Sequence, residues 1–267
     1  MQIGLMVWEL GERSFLEQFA WAADNGFDAV AFHTSPLLAP RRGIDPETMT
    51  PDDWVALKAA AMPFADVDIH APFDNYDLSL VTPNERVRQA SIEVFELSLQ
   101  MANRLKANTV TLHPTITRSG IGADEQERLL VESLIALDET ASALGVQVGL
   151  ETTEHFDIFD RVSFESVGIT VDVGHLSFHG GKAYEPWGSL AGLIKHVGQH
   201  IVHVHLHDYD GEHDHIPLGA GHIDFAAIVK ALTAVGYDGA LCLELAPSPT
   251  LEDGYKASRD LLRALLV

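Results

Sequence analysis

The chain has 267 residues, of which 46% are hydrophobic and 21% charged, an ordinary globular composition with enough apolar material for a sizeable core. Its 17 Lys and Arg residues face 39 Asp and Glu residues, and the net charge of −22 argues against nucleic-acid binding, which requires a basic surface. No apolar run reaches the ~18 residues of a membrane span, the N-terminal stretch MQIGLMVWEL lacks a signal-peptide pattern, and the single cysteine, Cys242, fits a reducing cytoplasm.

Short apolar runs alternate with longer helix-period stretches along the whole chain. The predicted strands are QIGLMVW (2–8), DAVAFH (28–33), ADVDIH (65–70), NTVTLH (108–113), VQVGLE (146–151), GITVDV (168–173), IVHVHLH (201–207) and GALCLEL (239–245). This alternation is typical of βα units around a parallel sheet, and the length suits an eight-fold barrel. No linker interrupts the pattern, so we expect an α/β fold, a (β/α)8 TIM barrel, as one domain over residues 1–267.

Helices are predicted between these strands. Their ranges are 14–26, 50–62, 82–105, 123–145, 185–199, 224–236 and 248–266, while HFDIFDRVSFESV (155–167) gives no clear pattern. Thr50 and Pro51 predict a helix start, because threonine is a good N-cap and proline suits the first helical position. Thr82 and Pro83 predict the same kind of start for the next helix.

Large aliphatic side chains share one face of the predicted strands. In the strand 201–207, Val202, Val204 and Leu206 alternate with three histidines, and other strands show the same period of two. Because the aliphatic face must pack against the outer helices, we expect the small and polar face inside the barrel. Branched aliphatic residues are more usual there, so a polar interior suggests a function.

Potential metal ligands stand at the ends of most strands. The inward or terminal residues are, in chain order, Trp8, His33, His70, His113, Glu151, Asp172, His205 and Glu244. His175 follows the sixth strand, and His213, Asp214 and His215 follow the seventh. Catalytic residues of TIM barrels lie at the C-terminal ends of the strands, so we expect these side chains to converge there.

Several nearby residues keep ordinary interpretations. Residues two apart on a strand are about 6–7 Å apart, so the three histidines of the seventh strand cannot share one ion. We expect His207 to contact either a ligand or the substrate. Asp68 is expected either to orient the His70 imidazole or to form a salt bridge at the rim. Structural roles are expected for His33, His203 and Cys242.

The chain resembles the xylose-isomerase-like TIM-barrel superfamily over nearly its whole length. The motifs that carry the resemblance are IHAPF (69–73), TLHP (111–114), GLE (149–151), TVDVGH (170–175), HVHLHD (203–208), HDHIPLGAG (213–221) and LCLEL (241–245). This superfamily includes sugar isomerases, sugar 3-epimerases, inosose and dehydroshikimate dehydratases, and DNA-repair phosphodiesterases of the endonuclease IV type. The motifs are specific to the superfamily, but a fold alone does not decide an activity.

The resemblance implies two alternative metal arrangements, with Zn²⁺ or Mn²⁺ as the expected cofactor. In the isomerases and epimerases a single ion is held at positions that match Glu151, Asp172, His205 and Glu244. In the endonuclease IV type these four positions hold one of three zinc ions, a second ion takes His70, His113 and Glu151, and a third would take His175, His213 and His215. The family has aspartate where this chain has His213, and Asp214 is the alternative ligand.

The first functional hypothesis is a sugar isomerase or epimerase. A metal that polarises a carbonyl acidifies the neighbouring C–H bond. Glu151 and Glu244 would then remove and return a proton, and His175 would contact a substrate oxygen. Epimerases of the family often carry an arginine shortly after the seventh strand, where this chain has Gly211 and Glu212, so the 3-epimerase subtype is not supported.

The second hypothesis is hydrolysis of a small phosphoester by clustered zinc ions, which the additional histidines favour. The acidity of the chain argues against duplex DNA as the substrate. The predicted substrate-binding residues are His207, Lys182, Gly219 and Gly221, and the amides of the two glycines precede a helix where barrels often bind phosphate. The cations expected near the mouth are Lys182, Arg41, Arg42 and Arg118.

A third hypothesis is a metal-binding protein without catalytic activity. Of the three, we favour an enzyme that acts on a small carbohydrate or carbohydrate phosphate, because its carboxylates stand where barrels do chemistry. The expectation includes a cytoplasmic protein without nucleic-acid or membrane partners, and it leaves a homo-oligomer open.

Overall fold

The computed structural model describes residues 1–39, 42–73, 77–114 and 120–267. Its strands are β1 (Gln2–Val7), β2 (Ala29–His33), β3 (Asp66–His70), β4 (Thr109–Leu112), β5 (Gln147–Glu151), β6 (Val167–Asp172), β7 (Ile201–Leu206) and β8 (Ala240–Leu243). All coincide with predicted strands, since short β-branched and aliphatic runs favour extended backbone. Some strands end earlier than predicted, so that the candidate site residues Trp8, His113, His207 and Glu244 lie just after their strands.

The strands form a closed barrel in chain order, and each pair of neighbours is parallel, including β8 with β1. His33 pairs with His70 across β2 and β3, and Asp172 pairs with His205 across β6 and β7. The carboxyl ends of parallel strands in a closed barrel share one rim. The polar strand ends therefore form one rim, and the predicted TIM barrel is confirmed.

The helices surround this barrel. They are α1 (Phe15–Asp24), α2 (Pro51–Ala61), α3 (Glu85–Leu105), α4 (Ala123–Leu144), α5 (Ile158–Arg161), α6 (Val173–Leu176), α7 (Leu190–Val197), α8 (Phe225–Ala234) and α9 (Leu251–Leu265). The segment without a clear pattern contains only the single turn α5. Among the described residues, no helix combines the length and apolarity needed to cross a bilayer.

The predicted start of α2 is confirmed. The Thr50 hydroxyl accepts a hydrogen bond from the Asp53 amide at 3.3 Å, and the Asp53 carboxylate accepts one from the Thr50 amide at 2.9 Å. This reciprocal pair satisfies amides that have no partner inside the helix. Pro51 occupies the first helical position.

Three predicted helix starts are too early, and one of them is that of α9, which begins at Leu251 instead of residue 248. The Thr82 hydroxyl accepts from the amide of Asn84, two residues on, and α3 begins only at Glu85. The helix predicted from residue 185 begins at Leu190, because a short 3-10 helix precedes it and ends at a glycine with φ of 74°. The N-cap of α7 is then Ser189.

Apolar residues form two separate layers. The larger one lies between the barrel and the helices and includes Val204 and Leu206, as the alternation predicted. A small second cluster inside the barrel contains Met6, Ala31 and Cys242, which confirms a packing role for the cysteine.

Val202 departs from the predicted alternation. The register between β6 and β7 shifts after Ile169, so that Val202 is skipped and Thr170 pairs with His203. The Val202 side chain lies against the backbone of Gly149 and Gly168. A Cβ atom on either glycine would crowd the Val202 methyl groups. This bulge turns Val202 toward the inward face, contrary to the expectation that it would point outward.

Candidate metal centre and active site

A histidine held between two glutamates forms the centre of the cluster at the C-terminal rim. His205 Nδ1 lies 3.1 Å from Glu151 Oε2 and 3.3 Å from Glu244 Oε2. Glu244 follows β8, and its amide donates to the carbonyl of Leu206 at 3.0 Å, which extends the sheet ladder to this residue. All three site side chains are buried. The structure therefore brings together three predicted ligands from β5, β7 and β8.

Asp172 completes the predicted set of four. It ends β6 and caps the short helix α6, since its Oδ1 accepts the His175 amide at 2.6 Å. This turn brings the His175 ring back to the rim, where Nδ1 lies 2.9 Å from Glu151 Oε1 and 3.3 Å from Asp172 Oδ2. Asp172 Oδ2 is 3.9 Å from His205 Nδ1.

The donor set fits a divalent cation. Within the described residues, Glu151 Oε2, Asp172 Oδ2 and His205 Nδ1 are buried without a hydrogen-bond partner. A buried polar atom without a partner is costly, and one cation between them would satisfy all three. Ligand atoms of Asp172, His205 and Glu244 lie within 4.8 Å of one another. Carboxylate oxygens and imidazole nitrogens are ligands of both Zn²⁺ and Mn²⁺.

The electrostatics of the centre favour positive charge. Burial disfavours a protonated His205, but Glu244 and Glu151 outweigh it and raise the pKa of His205 to about 9. Burial likewise disfavours an ionised Glu151, yet the surrounding imidazoles hold the pKa of Glu151 well below its usual range. The ionised form of Glu151 is therefore favoured beside positive charge, which either a protonated imidazole or a metal cation can supply.

Two further predicted ligands flank Glu151. His70 Nε2 and His113 Nε2 lie 3.7 Å and 3.5 Å from Glu151 Oε2. His70 Nδ1 lies 2.8 Å from the carbonyl oxygen of Ala71, to which it donates. The proton is thereby held on Nδ1, and the lone pair of His70 Nε2 faces the carboxylate.

Both roles predicted for Asp68 are wrong. Its Oδ1 lies 3.6 Å from His203 Nδ1, one layer deeper in the barrel, and both residues are buried. The main chain at Ala71 orients His70 instead. His203 is buried beside Asp68, in the core-lining position expected for it.

His213 does not join the cluster. Its Nδ1 lies 3.2 Å from Asp210 Oδ2, and 66% of its side chain is exposed. No ligand group found in the described part of the chain contains it. Asp214, the alternative ligand, lies with Oδ1 3.4 Å from His215 Nδ1. Asp214 therefore lies beside His215, and no group of possible metal ligands among the described residues contains Asp214.

His207 occupies the position beside His175 and His215 that was expected for His213. Ligand atoms of these three histidines lie within 4.8 Å of one another. The His207 and His215 rings stack with centroids 3.9 Å apart and planes 8° apart. His207 is 0% exposed, and its predicted contact with substrate stays a prediction.

The glycine amides expected to bind phosphate already hold an anion. Gly219 and Gly221 donate to Asp208 Oδ2 at 2.9 Å and 2.8 Å. Tyr209 and Ile223 donate to Asp208 Oδ1 at 2.8 Å and 3.1 Å. Asp208 is 0% exposed. The prediction of a phosphate site here is wrong, because an internal carboxylate satisfies the amides and would repel a phosphate.

Two of the four predicted cations, Arg42 and Lys182, lie in the described part of the chain. Arg42 pairs with Glu9. Lys182 is exposed at the start of the 3-10 helix Lys182–Trp187. Arg41 and Arg118 lie outside the described residues.

Beside the ligand cluster lies an aromatic wall of Trp8, His33 and Phe73. The His33 ring centroid is 5.3 Å from that of Trp8 and 4.8 Å from that of His70, and Phe73 packs on both histidines. Within the described residues, Trp8 Nε1 and both His33 nitrogens are buried without hydrogen-bond partners. His33 therefore packs as expected of a structural residue, but its ring nitrogens make no hydrogen bond within the described residues. Sequence reasoning gave Phe73 no role, although its place after a ligand-bearing strand was a usable signal.

The fold and the site together define a parallel eight-stranded α/β barrel whose C-terminal rim carries a candidate metal centre. The chain belongs to the xylose isomerase-like TIM barrel family, whose model matches residues 19–265.

Its relatives include sugar-converting enzymes. The chain is 28% identical to the uncharacterized protein MJ1311 of Methanocaldococcus jannaschii over 217 residues. This aligned region covers 75% of this chain and 70% of that protein. It is 30% identical over 145 residues to L-ribulose 3-epimerase of Mesorhizobium japonicum, with 50% of this chain and 45% of that protein covered. Inosose dehydratase of Geobacillus thermodenitrificans is 26% identical over 171 residues, with 54% of this chain and 55% of that protein covered. The chain thus spans about half the length of these two enzymes.

Solved structures share the fold. A D-tagatose 3-epimerase-like protein has a TM-score of 0.79 at 23% identity, with 100% of this chain and 97% of that chain covered. The IOLI protein with a bound zinc atom has a TM-score of 0.76 at 18% identity, with 99% of this chain and 98% of that chain covered.

Proposed function

We propose that this protein is a divalent-metal-dependent isomerase or epimerase of a small sugar without a phosphate group. The observation that carries the proposal is a single imidazole, His205, held between two buried glutamates, with 3.1 Å and 3.3 Å to their nearest oxygens. The relatives named as an epimerase and a dehydratase support a carbohydrate substrate. The Asp208 carboxylate in the amide pocket favours an unphosphorylated one.

Glu151, Asp172, His205 and Glu244 would hold the cation. When bound, a divalent ion would polarise a substrate carbonyl and acidify the neighbouring C–H bond. Glu151 and Glu244 lie on two sides of His205, so one can take the proton from carbon and the other can return a proton. The carboxylate that takes the proton must start ionised and the one that returns a proton must start protonated, so one gains a proton while the other loses one and the exchange balances.

The remaining rim residues would orient the acid–base pair and the sugar. His175 Nδ1 lies 2.9 Å from Glu151 Oε1 and would hold that carboxylate in place. Trp8 Nε1 and His33 have no partner among the described residues and would bond substrate hydroxyl groups. A ligand that satisfies these atoms removes the cost of leaving them unpaired.

Deuterium exchange tests the proposal directly. Protein loaded with Mn²⁺, Co²⁺ or Zn²⁺ is incubated in D2O with L-ribulose, D-tagatose, D-psicose or D-fructose, and proton NMR follows deuterium incorporation at carbon. We expect exchange with at least one sugar, and a loss of about 10²–10⁴-fold in rate in Glu151→Gln and Glu244→Gln.

Glu154→Gln is the matched control, since that side chain is 77% exposed, and it should retain the rate. Failure of every metal-loaded sample to exchange deuterium would contradict the proposal.

A second candidate is a multinuclear zinc phosphoesterase. The observation that favours it is that the rim holds more imidazoles than one ion can bind. His70 and His113 lie beside Glu151, and a second group contains His175, His207 and His215. Metal analysis distinguishes the two candidates: one ion per chain supports isomerisation, whereas two or three ions with hydrolysis of bis-p-nitrophenyl phosphate support the phosphoesterase. Metal retention without either activity would identify a non-catalytic metal-binding protein.

A further inference from the structure

His207 sits in a closed pocket directly behind the candidate metal centre. Its ring packs flat on His215, with 3.9 Å between centroids, and edge-on to His175 at 5.0 Å. The floor of the pocket is the backbone of Gly174, where an added Cβ would overlap three atoms of the His207 ring. Only glycine at position 174 therefore leaves room for this imidazole between Asp172 and His175.

The hydrogen bond at Nδ1 decides the tautomer of His207. The main-chain amide of His215 lies 2.9 Å from His207 Nδ1 and can only donate, so Nδ1 is the acceptor. The carbonyl oxygen of Asp208, the other group near Nδ1, is farther away at 3.3 Å. In the neutral ring the proton is then on Nε2. A protonated Nε2 has no lone pair to offer a metal, although the distances to His175 and His215 would permit one.

The protonated nitrogen faces a predicted metal ligand. His207 Nε2 lies 3.2 Å from Asp172 Oδ1, the oxygen that also accepts the His175 amide. Asp172 Oδ1 thus accepts the His175 amide and lies at ion-pair distance from His207 Nε2. Asp172 Oδ2 makes no hydrogen bond among the described residues and lies 3.3 Å from His175 Nδ1 at the rim. One oxygen of this carboxylate therefore faces His207, and the other faces the candidate metal centre.

We infer that His207 is a positioning residue that holds Asp172 through Oδ1, leaves Oδ2 to the cation, and fixes His215 at the rim by stacking and by its Nδ1. The inference rests on the proposed function, since it assumes that a cation binds at Asp172. Groups that orient metal ligands in this way typically change metal affinity by about 10–100-fold when removed.

Cobalt titration tests this assignment without an activity assay. The absorption spectrum of Co²⁺ reports the ligand geometry, and its titration gives the affinity. We expect His207→Phe, which keeps a flat ring and removes both nitrogens, to weaken Co²⁺ binding about 10–100-fold and to change the spectrum. His207→Gln retains a donor amide near the Nε2 position and should recover most of the affinity. Gly174→Ala should resemble His207→Phe, because it displaces the ring.

His222→Phe is the matched control, because that histidine is exposed, and it should bind Co²⁺ like the wild type. A wild-type protein that binds no Co²⁺ would contradict the proposed function itself. Wild-type binding with an unchanged spectrum and affinity in His207→Phe would overturn only the role of His207. If His207→Phe does not fold, equal affinities in Gly174→Ala and the wild type would overturn it instead.

Discussion

Two histidines on β7 and a third directly after it show how the layer of the barrel decides the surroundings of a residue. His203 lies beside Asp68 in the interior, His205 lies between Glu151 and Glu244 at the rim, and His207 stacks beneath the following loop. Their side chains belong to one face and one residue type. The neighbours from other segments place the first in the core, and they support the ligand role proposed for the second and the positioning role proposed for the third.

Replacing the single residue His33 should weaken sugar binding without lowering the free energy of unfolding. Its two nitrogens are buried without partners, so His33→Leu should leave the free energy of unfolding unchanged or raise it by about 1 kcal/mol. Sugar affinity should fall, because a donor for substrate hydroxyls is lost. Urea unfolding of the metal-free protein and the KM of the exchange reaction measure the two effects. Unchanged KM would show that His33 does not bind the substrate.

Neutralising the Asp208 carboxylate should lower the free energy of unfolding, although no catalytic role is proposed for this residue. In Asp208→Asn one oxygen still accepts two main-chain amides, while the new NH2 group faces the other two, so the free energy of unfolding should fall by about 2–4 kcal/mol. Urea denaturation gives the value, and hydrogen exchange at Gly219 and Gly221 should accelerate. Asp238→Asn, at an exposed carboxylate, is the control. A loss as small as the control's would show that the four bonds contribute little.

Among the helices, α3 and α4 end in the same left-handed conformation with different residues. Lys106 has φ of 61° and Gly145 has φ of 67°. A side chain in this conformation is strained, whereas glycine is not. Lys106→Gly should therefore raise the free energy of unfolding by about 0.5–1 kcal/mol, and Gly145→Ala should lower it by a similar amount. Thermal unfolding of both variants measures this, and shifts of the same sign would contradict the explanation.

For the whole molecule, a bound cation should stabilise the fold. Three buried carboxylates converge at the rim of a chain with net charge −22, so a divalent ion relieves repulsion that the folded state otherwise bears. At a metal concentration about 100 times its Kd the gain is about 2.7 kcal/mol. The midpoint of thermal unfolding should rise with Mn²⁺ or Zn²⁺ and fall with EDTA.

Glu151→Gln should abolish that metal-dependent shift, and Glu154→Gln should preserve it. NaCl at matched ionic strength is the control for screening. A midpoint that does not respond to any divalent cation would mean that the rim carboxylates do not hold one.

The barrel and most of its ligand set could be predicted because both depend on short-range patterns. A period of two in the strands separates the inward from the outward face, and strand ends in a closed parallel barrel must share a rim. Glu151, Asp172, His205 and Glu244 therefore converge as expected. The family resemblance supplied the grouping into one site.

Sequence by itself determined the eight strands, their order and the polar character of one end, because these follow from periodicity and chain connectivity. Tertiary structure alone decided that Val202 turns inward at a register shift, that His207 rather than His213 lies beside His175, and that Asp208 fills the amide pocket. Each of these depends on which atoms from distant segments meet in a closed space. Hydrogen-bond geometry and steric fit act only after the chain has folded, so no pattern along the sequence could express them.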